Sequence, residues 1–289
     1  MNTAADIELE QWSSNEKRML RYILENDSMM FFRYFFALRE GMKATLSWHH
    51  YVLVYALDLV LQGRVNRLIV NMPPGYTKTE IAVLSFIMKG LVINNRSRFI
   101  HTTYGNDLAL ENSSKIKDGI TSDEFQELWP MKVRVDTKSK KRWFTQEGGG
   151  MMAAAAGGQI LGFRAGRMEP GFTGGLICDD PIKPSDANSK ILRHKINDTF
   201  NSSQRSRLAV ESNPIVVVQQ RLDDMDLSGY LLRGGSGDTW YHLELPADIT
   251  HLKDSYPKDQ SHGIRLDVCE ILQSIHNGKP LSCFQSQIY

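Results

Sequence analysis

The sequence has little of what marks a secreted or membrane protein. Its three cysteines, Cys178, Cys269 and Cys283, follow no disulfide or metal-ligand spacing, which favours a reducing compartment. The most apolar stretch, residues 29–38, is interrupted by Arg33 and is too short to span a bilayer. The polar N-terminus lacks the basic and apolar regions of a signal peptide. We therefore expect a cytoplasmic protein with no membrane partner.

A strong excess of charge of either sign is also missing. The 34 basic and 33 acidic residues leave a formal net charge of +1, which excludes a protein that binds polyanions over its whole surface. Local basic clusters remain possible contacts for a phosphate backbone. The two candidates are Lys132, Arg134, Lys138, Lys140, Lys141 and Arg142, and then Lys190, Arg193, Lys195, Arg205 and Arg207. A solvated β-hairpin tip is the commoner explanation of a run like the first.

Buried strands alternate with helices along much of the chain. Apolar runs predict strands at 67–71, 98–103, 176–179 and 214–219, and helical patterns predict helices at 47–62, 78–92, 108–120 and 189–208. This alternation predicts an α/β fold with a mostly parallel sheet flanked by helices. The glycine-broken interval 132–162 predicts a small antiparallel β extension. We expect an N-terminal helical segment (1–46), a core (47–250), and a linker or C-terminal extension (251–289).

Residues 72–79 connect a predicted strand to a predicted helix, which is the setting of a phosphate-binding loop. Such a loop needs converging backbone N–H groups at a helix N-terminus. Lys78 would neutralise phosphate charge, and the Thr79 hydroxyl would bind Mg²⁺. The strict pattern fails, because Met72 and Thr77 replace its two glycines. A β-branched residue before the lysine lacks glycine's conformational range. An ordinary strand–turn–helix junction is the competing interpretation.

Polar side chains follow two further predicted strands. Asp179 and Asp180 end the strand at 176–179, where the first carboxylate suits Mg²⁺ and the second suits activation of water. Gln220 and Arg221 follow the strand at 214–219, where they could sense the γ-phosphate or hold the attacking water. Turn chemistry at a strand end is the competing interpretation of the acidic pair. A helix N-terminal region with solvated polar residues is the competing interpretation of Gln220 and Arg221.

The ordered set of these motifs resembles the tailed-phage terminase large subunits. The resemblance covers about residues 48–247 and is carried by Trp48-His49, Asn71-Met72-Pro73-Pro74, Lys78-Thr79-Glu80, Thr103-Tyr104, Leu108-Ala109, Gly157-Gly158-Gln159, Gly162, Asp179-Asp180-Pro181-Ile182-Lys183, Gln220-Arg221-Leu222 and Asp226-Leu227-Ser228-Gly229. It implies an additional-strand P-loop ATPase that uses ATP and Mg²⁺ to pump double-stranded DNA into a procapsid. It further implies a homo-oligomeric ring on a portal, a small terminase subunit as partner, and the host cell cytoplasm.

The resemblance also implies roles for individual residues. Trp48, His49 and His50 lie where such motors hold the adenine, with a buried aromatic at a helix start as the competing interpretation. Residues 219–221 resemble the motif that couples nucleotide state to motion. The residues implied to bind the nucleotide are Trp48, His49, Pro74, Gly75, Tyr76, Thr77, Lys78, Thr79 and Glu80. The catalytic residues implied are Lys78, Asp180, Gln220, Arg221 and Arg164, and the metal ligands are Thr79 and Asp179.

The chain departs from the family in two ways. Many relatives carry arginine at the position of Gly75, so the transition-state arginine must come from elsewhere, with Arg164, Arg167 and Arg221 as candidates in cis or from a neighbour. The chain ends near the point where a nuclease half should begin, and we expect no DNA cleavage.

Two other functions fit the same residues. A helicase-like translocase shares the P-loop and the acidic strand, but it would need a second motor domain. A nucleotide-binding module without hydrolysis is favoured by the missing loop glycines and opposed by the Asp179-Asp180 pair.

Overall fold

A computed structural model describes residues 9–135, 139–247 and 262–275. Eight strands form one sheet in this part of the chain. The strands are β1 (Arg67–Asn71), β2 (Arg98–Thr103), β3 (Arg142–Phe144), β4 (Gly150–Ala155), β5 (Leu176–Asp179), β6 (Ile215–Gln219), β7 (Trp240–Glu244) and β8 (Gly263–Arg265).

The helices cover both faces of this sheet. They are α1 (Ser14–Asn26), α2 (Ser28–Glu40), α3 (Trp48–Leu61), α4 (Phe86–Ile93), α5 (Asn106–Thr121), α6 (Asp123–Leu128), α7 (Lys190–Thr199), α8 (Leu227–Leu232) and α9 (Val268–Ile275). A π-helical turn, Glu80–Ser85, precedes α4, and another, Phe200–Gln204, extends α7. Across the described residues, no helix has both the length and the apolar character that crossing a membrane requires.

The strands follow the order β3-β4-β2-β5-β6-β1-β7-β8. All neighbours pair in parallel except β3, which runs antiparallel to β4 at the edge. The mostly parallel α/β sheet expected from the sequence is thus confirmed, with β6 inserted between β5 and β1. The antiparallel extension is smaller than the interval 132–162 suggests, because β4 joins the parallel sheet beside β2.

Alternate residues of the central strands face two different hydrophobic cores. In β1, Leu68 and Val70 belong to the larger core, which includes residues of α1 to α6 and α9, whereas Ile69 belongs to the second core beside α8. Because both faces are covered, the central strands are apolar at successive positions. This explains why their continuous apolar runs predict them so well.

Residues 262–275 add an edge strand and a helix to this body. Strand β8 pairs in parallel with β7, and Val268, Ile271 and Leu272 of α9 join the larger core. Strand β7 itself lies beside β1 and contributes buried Trp240 and Leu243. The domain boundaries expected from the sequence remain predictions, but this part of the 251–289 segment packs with the sheet.

We expect Trp240→Ala to lower the free energy of unfolding by about 3–5 kcal/mol, because it empties a fully buried site between β7 and Phe200. Trp240→Phe should cost less, because it keeps the ring and loses the bond from Nε1–H to Ser236 Oγ. Urea unfolding measures both values. Ile191→Ala, at an 81% exposed position, is the control, and equal costs for all three variants would contradict the packing described.

Candidate functional site

The parallel register brings the ends of three strands to one edge of the sheet. Asn71 at the end of β1 pairs with Gln219 at the end of β6, and Asp179 at the end of β5 pairs with Val218. The loop after β1 therefore meets the polar residues that follow β5 and β6. The phosphate loop, the acidic pair and the glutamine motif predicted from the sequence follow these three strand ends, and the structure brings them together.

The loop after β1 turns sharply before a helix begins at Lys78. Gly75 and Thr77 both have left-handed backbone conformations, with φ values of 81° and 56°. A β-branched residue in this region is unusual and strained. Thr77 thus adopts a glycine-like conformation even though its side chain is β-branched.

Lys78 and Asp180 form an ion pair at the centre of the edge. Lys78 is buried, and its Nζ lies 2.8 Å from Asp180 Oδ2. The other carboxylate oxygen, Oδ1, accepts a hydrogen bond from the backbone N–H of Gln220 at 3.1 Å. Asp180 also has a left-handed backbone conformation, with φ of 40°. Two groups from different strand ends therefore hold this carboxylate in a fixed orientation.

Thr79 and Asp179 form a second pair beside the first. The Thr79 hydroxyl donates to Asp179 Oδ2 at 2.6 Å, and Asp179 Oδ1 is buried with no partner among the described residues. Burial, and next the charge of Asp180, raise the pKa of Asp179 to about 7. An unpartnered carboxylate oxygen beside a hydroxyl fits the oxygen ligands that Mg²⁺ takes. The two predicted metal ligands are therefore adjacent and suit that ion.

Aromatic and imidazole rings from the start of α3 pack against the loop. The His49 ring lies 4.0 Å from that of His50 and 4.8 Å from that of Tyr76, and Trp48 meets His49 edge-on at 5.7 Å. His49 Nε2 is buried without a partner in the part of the chain that the structure describes. Burial, and secondarily the charge of His50, lower the pKa of His49 to about 4. The residues predicted to hold the adenine thus border the phosphate loop.

A buried polar network lies beneath the loop. Asn71 Nδ2 donates to Ser228 Oγ at 3.0 Å and to the Gln219 carbonyl at 3.2 Å, and its Oδ1 lies 2.8 Å from His242 Nε2. These bonds link β1 to β6, α8 and β7. Sequence reasoning missed the roles of Ser228 and His242. The available signal was the asparagine at the end of an apolar strand, where a buried amide needs partners.

The glutamine that the sequence singles out is not the more buried one. Gln219 is 2% exposed, and neither polar atom of its side-chain amide has a partner among the described residues. Gln220 is partly exposed and contacts Asp180 through its backbone. Gln219 is therefore an additional candidate for a polar contact at this edge.

Glu80 and Arg221 form ion pairs with residues outside the predicted site, and Arg164 lies far from the loop. Glu80 forms an ion pair with Arg39 of α2, and Arg221 Nε lies 3.0 Å from Asp226 Oδ2. Arg164 is exposed and lies beside Ala165, whose N–H donates to the Arg207 carbonyl near the amino end of β2. The loop lies at the opposite edge. The structure therefore does not bring Arg164 to Lys78 within one chain.

Arg167 is held at the same distant edge, because its Nη1 donates to the Gly148 carbonyl at 3.3 Å. Pro74 and Gly75, at the loop tip, are exposed.

The two predicted basic surfaces differ in how much free charge they offer. On α7 and the turns after it, Arg193 pairs with Asp223, and Arg205 pairs with Asp238. The two lysines of that surface, Lys190 and Lys195, are exposed. In the first surface Lys132 and residues 140–142 are exposed, and Lys138 lies outside the described residues.

A pocket of about 270 Å³ opens on the same edge as the loop. Its lining includes Tyr104, Gly157, Gly158, Lys183, Asp186 and Lys195. The Lys183 ammonium lies 5.4 Å from the centre of the Tyr104 ring, and the Tyr104 N–H donates to the Asp180 carbonyl at 3.0 Å. The pocket therefore adjoins the Lys78–Asp180 pair, because Tyr104 lines the pocket and is hydrogen-bonded to the backbone of Asp180.

Comparison with known proteins assigns no family. Neither a known family model nor a curated protein matches the chain. Among solved structures, the chain is similar to an S. cerevisiae Dbp5 variant bound to Nup159, a Gle1 variant, IP6 and ADP. The sequence identity is 13% and the TM-score is 0.42, over 67% of this chain and 47% of that one. The chain thus spans about half the length of that structure, and a likeness of this size assigns no activity.

We expect Asp179→Asn to stabilise the protein in the absence of nucleotide and metal, by roughly 3 °C in Tm at pH 8. The raised pKa means that the folded protein disfavours the charged carboxylate, so wild-type stability falls as the pH rises from about 4 through 7. The gain should therefore shrink towards pH 4. Thermal unfolding across this range measures it, with the exposed Asp198→Asn as control. A variant less stable than wild type at pH 8 would contradict the assignment.

Proposed function

We propose that the chain is the ATPase of a viral DNA-packaging motor, in which ATP hydrolysis at the Lys78–Asp180 edge drives double-stranded DNA into a procapsid. The observation that carries the hydrolytic part is the pairing of the loop with the acidic strand end, through Lys78 with Asp180 and Thr79 with Asp179. The packaging part is supported by the ordered motifs that resemble terminase large subunits.

Binding of a nucleotide would activate Asp180 by breaking its ion pair with Lys78. A bound triphosphate competes with Asp180 for the Lys78 ammonium, because both are anions within reach of one cation. As Lys78 turns to the phosphates, Asp180 loses its cationic partner and keeps the Gln220 N–H that orients it. Its free oxygen then accepts a proton from the water that attacks the γ-phosphorus, while the bond from that phosphorus to the β,γ-bridging oxygen breaks and ADP leaves. The chemistry that Mg²⁺ supplies beside Thr79 and Asp179 is neutralisation of charge on the phosphates.

The structure weakens the case for a module that binds without hydrolysis. That alternative depends on the missing glycine before Lys78, yet Thr77 adopts the conformation that glycine would supply. A second carboxylate, Asp180, placed beside Lys78 and oriented by the Gln220 N–H has a use in hydrolysis that simple binding does not require. Hydrolysis therefore accounts for more of the site.

A neighbouring copy would complete the site. Arg164 and Arg167 lie at the far edge of the sheet, and Arg221 is paired with Asp226. A cation for the transition state is therefore best supplied across a subunit boundary, as in a homo-oligomeric ring. A portal and a small terminase subunit as further partners rest on the sequence resemblance.

We expect Lys78→Ala and Asp180→Asn each to lower the rate of phosphate release from ATP with Mg²⁺ by at least about 100-fold. The first removes the phosphate-binding cation, and the second removes the proton acceptor while keeping its shape. Lys190→Ala, which removes an exposed lysine, is the control and should turn over as wild type does. Unchanged turnover in both site variants would refute the proposed site, and nucleotide binding with no wild-type turnover at any protein concentration would favour the binding module.

We expect the pocket beside Asp180 to contact the DNA backbone, so Lys183→Ala and Lys195→Ala should each weaken duplex binding and reduce its salt slope by about one. Fluorescence anisotropy against salt concentration measures both effects. Lys140→Ala tests the rival surface near β3. If Lys140→Ala alone weakens binding, the rival surface is the contact.

The form of DNA that stimulates ATP turnover distinguishes a packaging motor from a helicase-like translocase. Stimulation of ATP turnover by duplex DNA supports the former, and stimulation by single strands alone supports the latter.

A further inference from the structure

The backbone of Thr77 is the least expected feature of the phosphate loop. Its φ of 56° lies in the left-handed region, where a Cβ with two substituents crowds the backbone. Thr77 immediately precedes the buried Lys78, so its conformation sets the direction in which the following helix and its lysine leave the loop. Something in the surrounding structure must hold it there, because such conformations persist only when other contacts enforce them.

His50 makes that contact from the first turn of α3. Its Nε2 lies 2.7 Å from Thr77 Oγ1, and its Nδ1 accepts a hydrogen bond from the Ser47 N–H at 2.8 Å. Because Nδ1 accepts, the proton of the neutral ring lies on Nε2 and is donated to Thr77. The Thr77 hydroxyl then donates its own proton to the Tyr76 carbonyl at 2.7 Å. The three bonds form one chain in which every donor and acceptor has a consistent role.

The surroundings keep this imidazole neutral and fixed. His50 is 5% exposed, and the His49 ring packs 4.0 Å from it. Burial lowers the pKa of His50, and the Ser47 carbonyl, 3.3 Å from Nδ1, opposes this only in part. The neutral ring serves both partners at once, because Nδ1 accepts from the Ser47 N–H while Nε2 donates to Thr77 Oγ1.

We propose that His50 is a positioning residue that replaces the missing loop glycine by holding Thr77 in its left-handed conformation, and that it thereby presents Lys78 to the phosphates of a nucleotide. The second half rests on the proposed function, since it assumes that a nucleotide binds at this loop. The role differs from ring stacking on a base, because the His50 nitrogens are engaged with the backbone turn.

A double-mutant cycle separates these roles. In the wild-type background, we expect His50→Ala to raise the dissociation constant of ATP about tenfold, with a smaller effect on kcat. Thr77→Gly provides the second background, and its own dissociation constant for ATP is the reference there, because glycine takes this conformation without help. In the Thr77→Gly background, His50→Ala should then cost less than about twofold. Isothermal titration calorimetry measures binding, and phosphate release measures kcat.

Two milder variants guard against loss of folding. Thr77→Val keeps the β-branched shape without the hydroxyl and should weaken binding as His50→Ala does. His50→Gln offers an amide N–H towards Thr77 Oγ1 and should restore most of the affinity. The exposed His194→Ala, on α7, is the control for loss of an imidazole.

Thermal unfolding without nucleotide tests the positioning role separately. It is measured on wild type, His50→Ala, Thr77→Gly and the double variant. Thr77→Gly should raise Tm more in the His50→Ala background than in wild type, because only there does it relieve an unsupported conformation. Equal effects of His50→Ala in both backgrounds, in Tm and in ATP affinity, would overturn the proposal. Coupling in Tm with no ATP binding by wild type would sustain the positioning role and refute the proposed function.

Discussion

The parallel register of β5, β6 and β1 is the constraint on which the rest of the site depends. It sets Asp179 against Val218 and Asn71 against Gln219, so three chain segments reach one edge together. Because side chains alternate along a strand, a slip of one residue would turn Asp179 away from Thr79. The buried bonds of Asn71 to Ser228 and His242 hold β1 to its flanking elements at that same level. The contact between Lys78 and Asp180 thus relies on an alignment made by the sheet.

Sequence reasoning located the elements whose signal is local. Strands β1, β2, β5 and β6 lie where continuous apolar runs placed them, because strands covered on both faces need no polar alternation. Strand β4 is rich in methionine and alanine, and its parallel pairing with β2 is fixed only by tertiary contacts. Strand β7 mixes buried Trp240 and His242 with partly exposed neighbours, and β8 has three residues. Neither strand has an apolar pattern long enough to predict it from the sequence.

The site shows the same division. The loop and the acidic pair were predictable because their chemistry depends on residues that are close in sequence. The bond between His50 and Thr77 joins residues 27 positions apart, and Thr77 looked unsuited to the loop when it was considered alone. Arg164 shows that residue type alone can mislead. It is a candidate because it is an arginine, but the fold places it at the amino end of the sheet, away from the loop.

The ion pair between Arg39 and Glu80 connects the loop to a helix far earlier in the chain. Glu80 follows Thr79 directly, and Arg39 lies in the last turn of α2, beside a groove of about 400 Å³ between α2 and α5. Any shift of the helix that starts at Lys78 must either carry α2 with it or break this pair. Helix α2, from the N-terminal part of the chain, is therefore linked by one ion pair to the helix that carries Lys78.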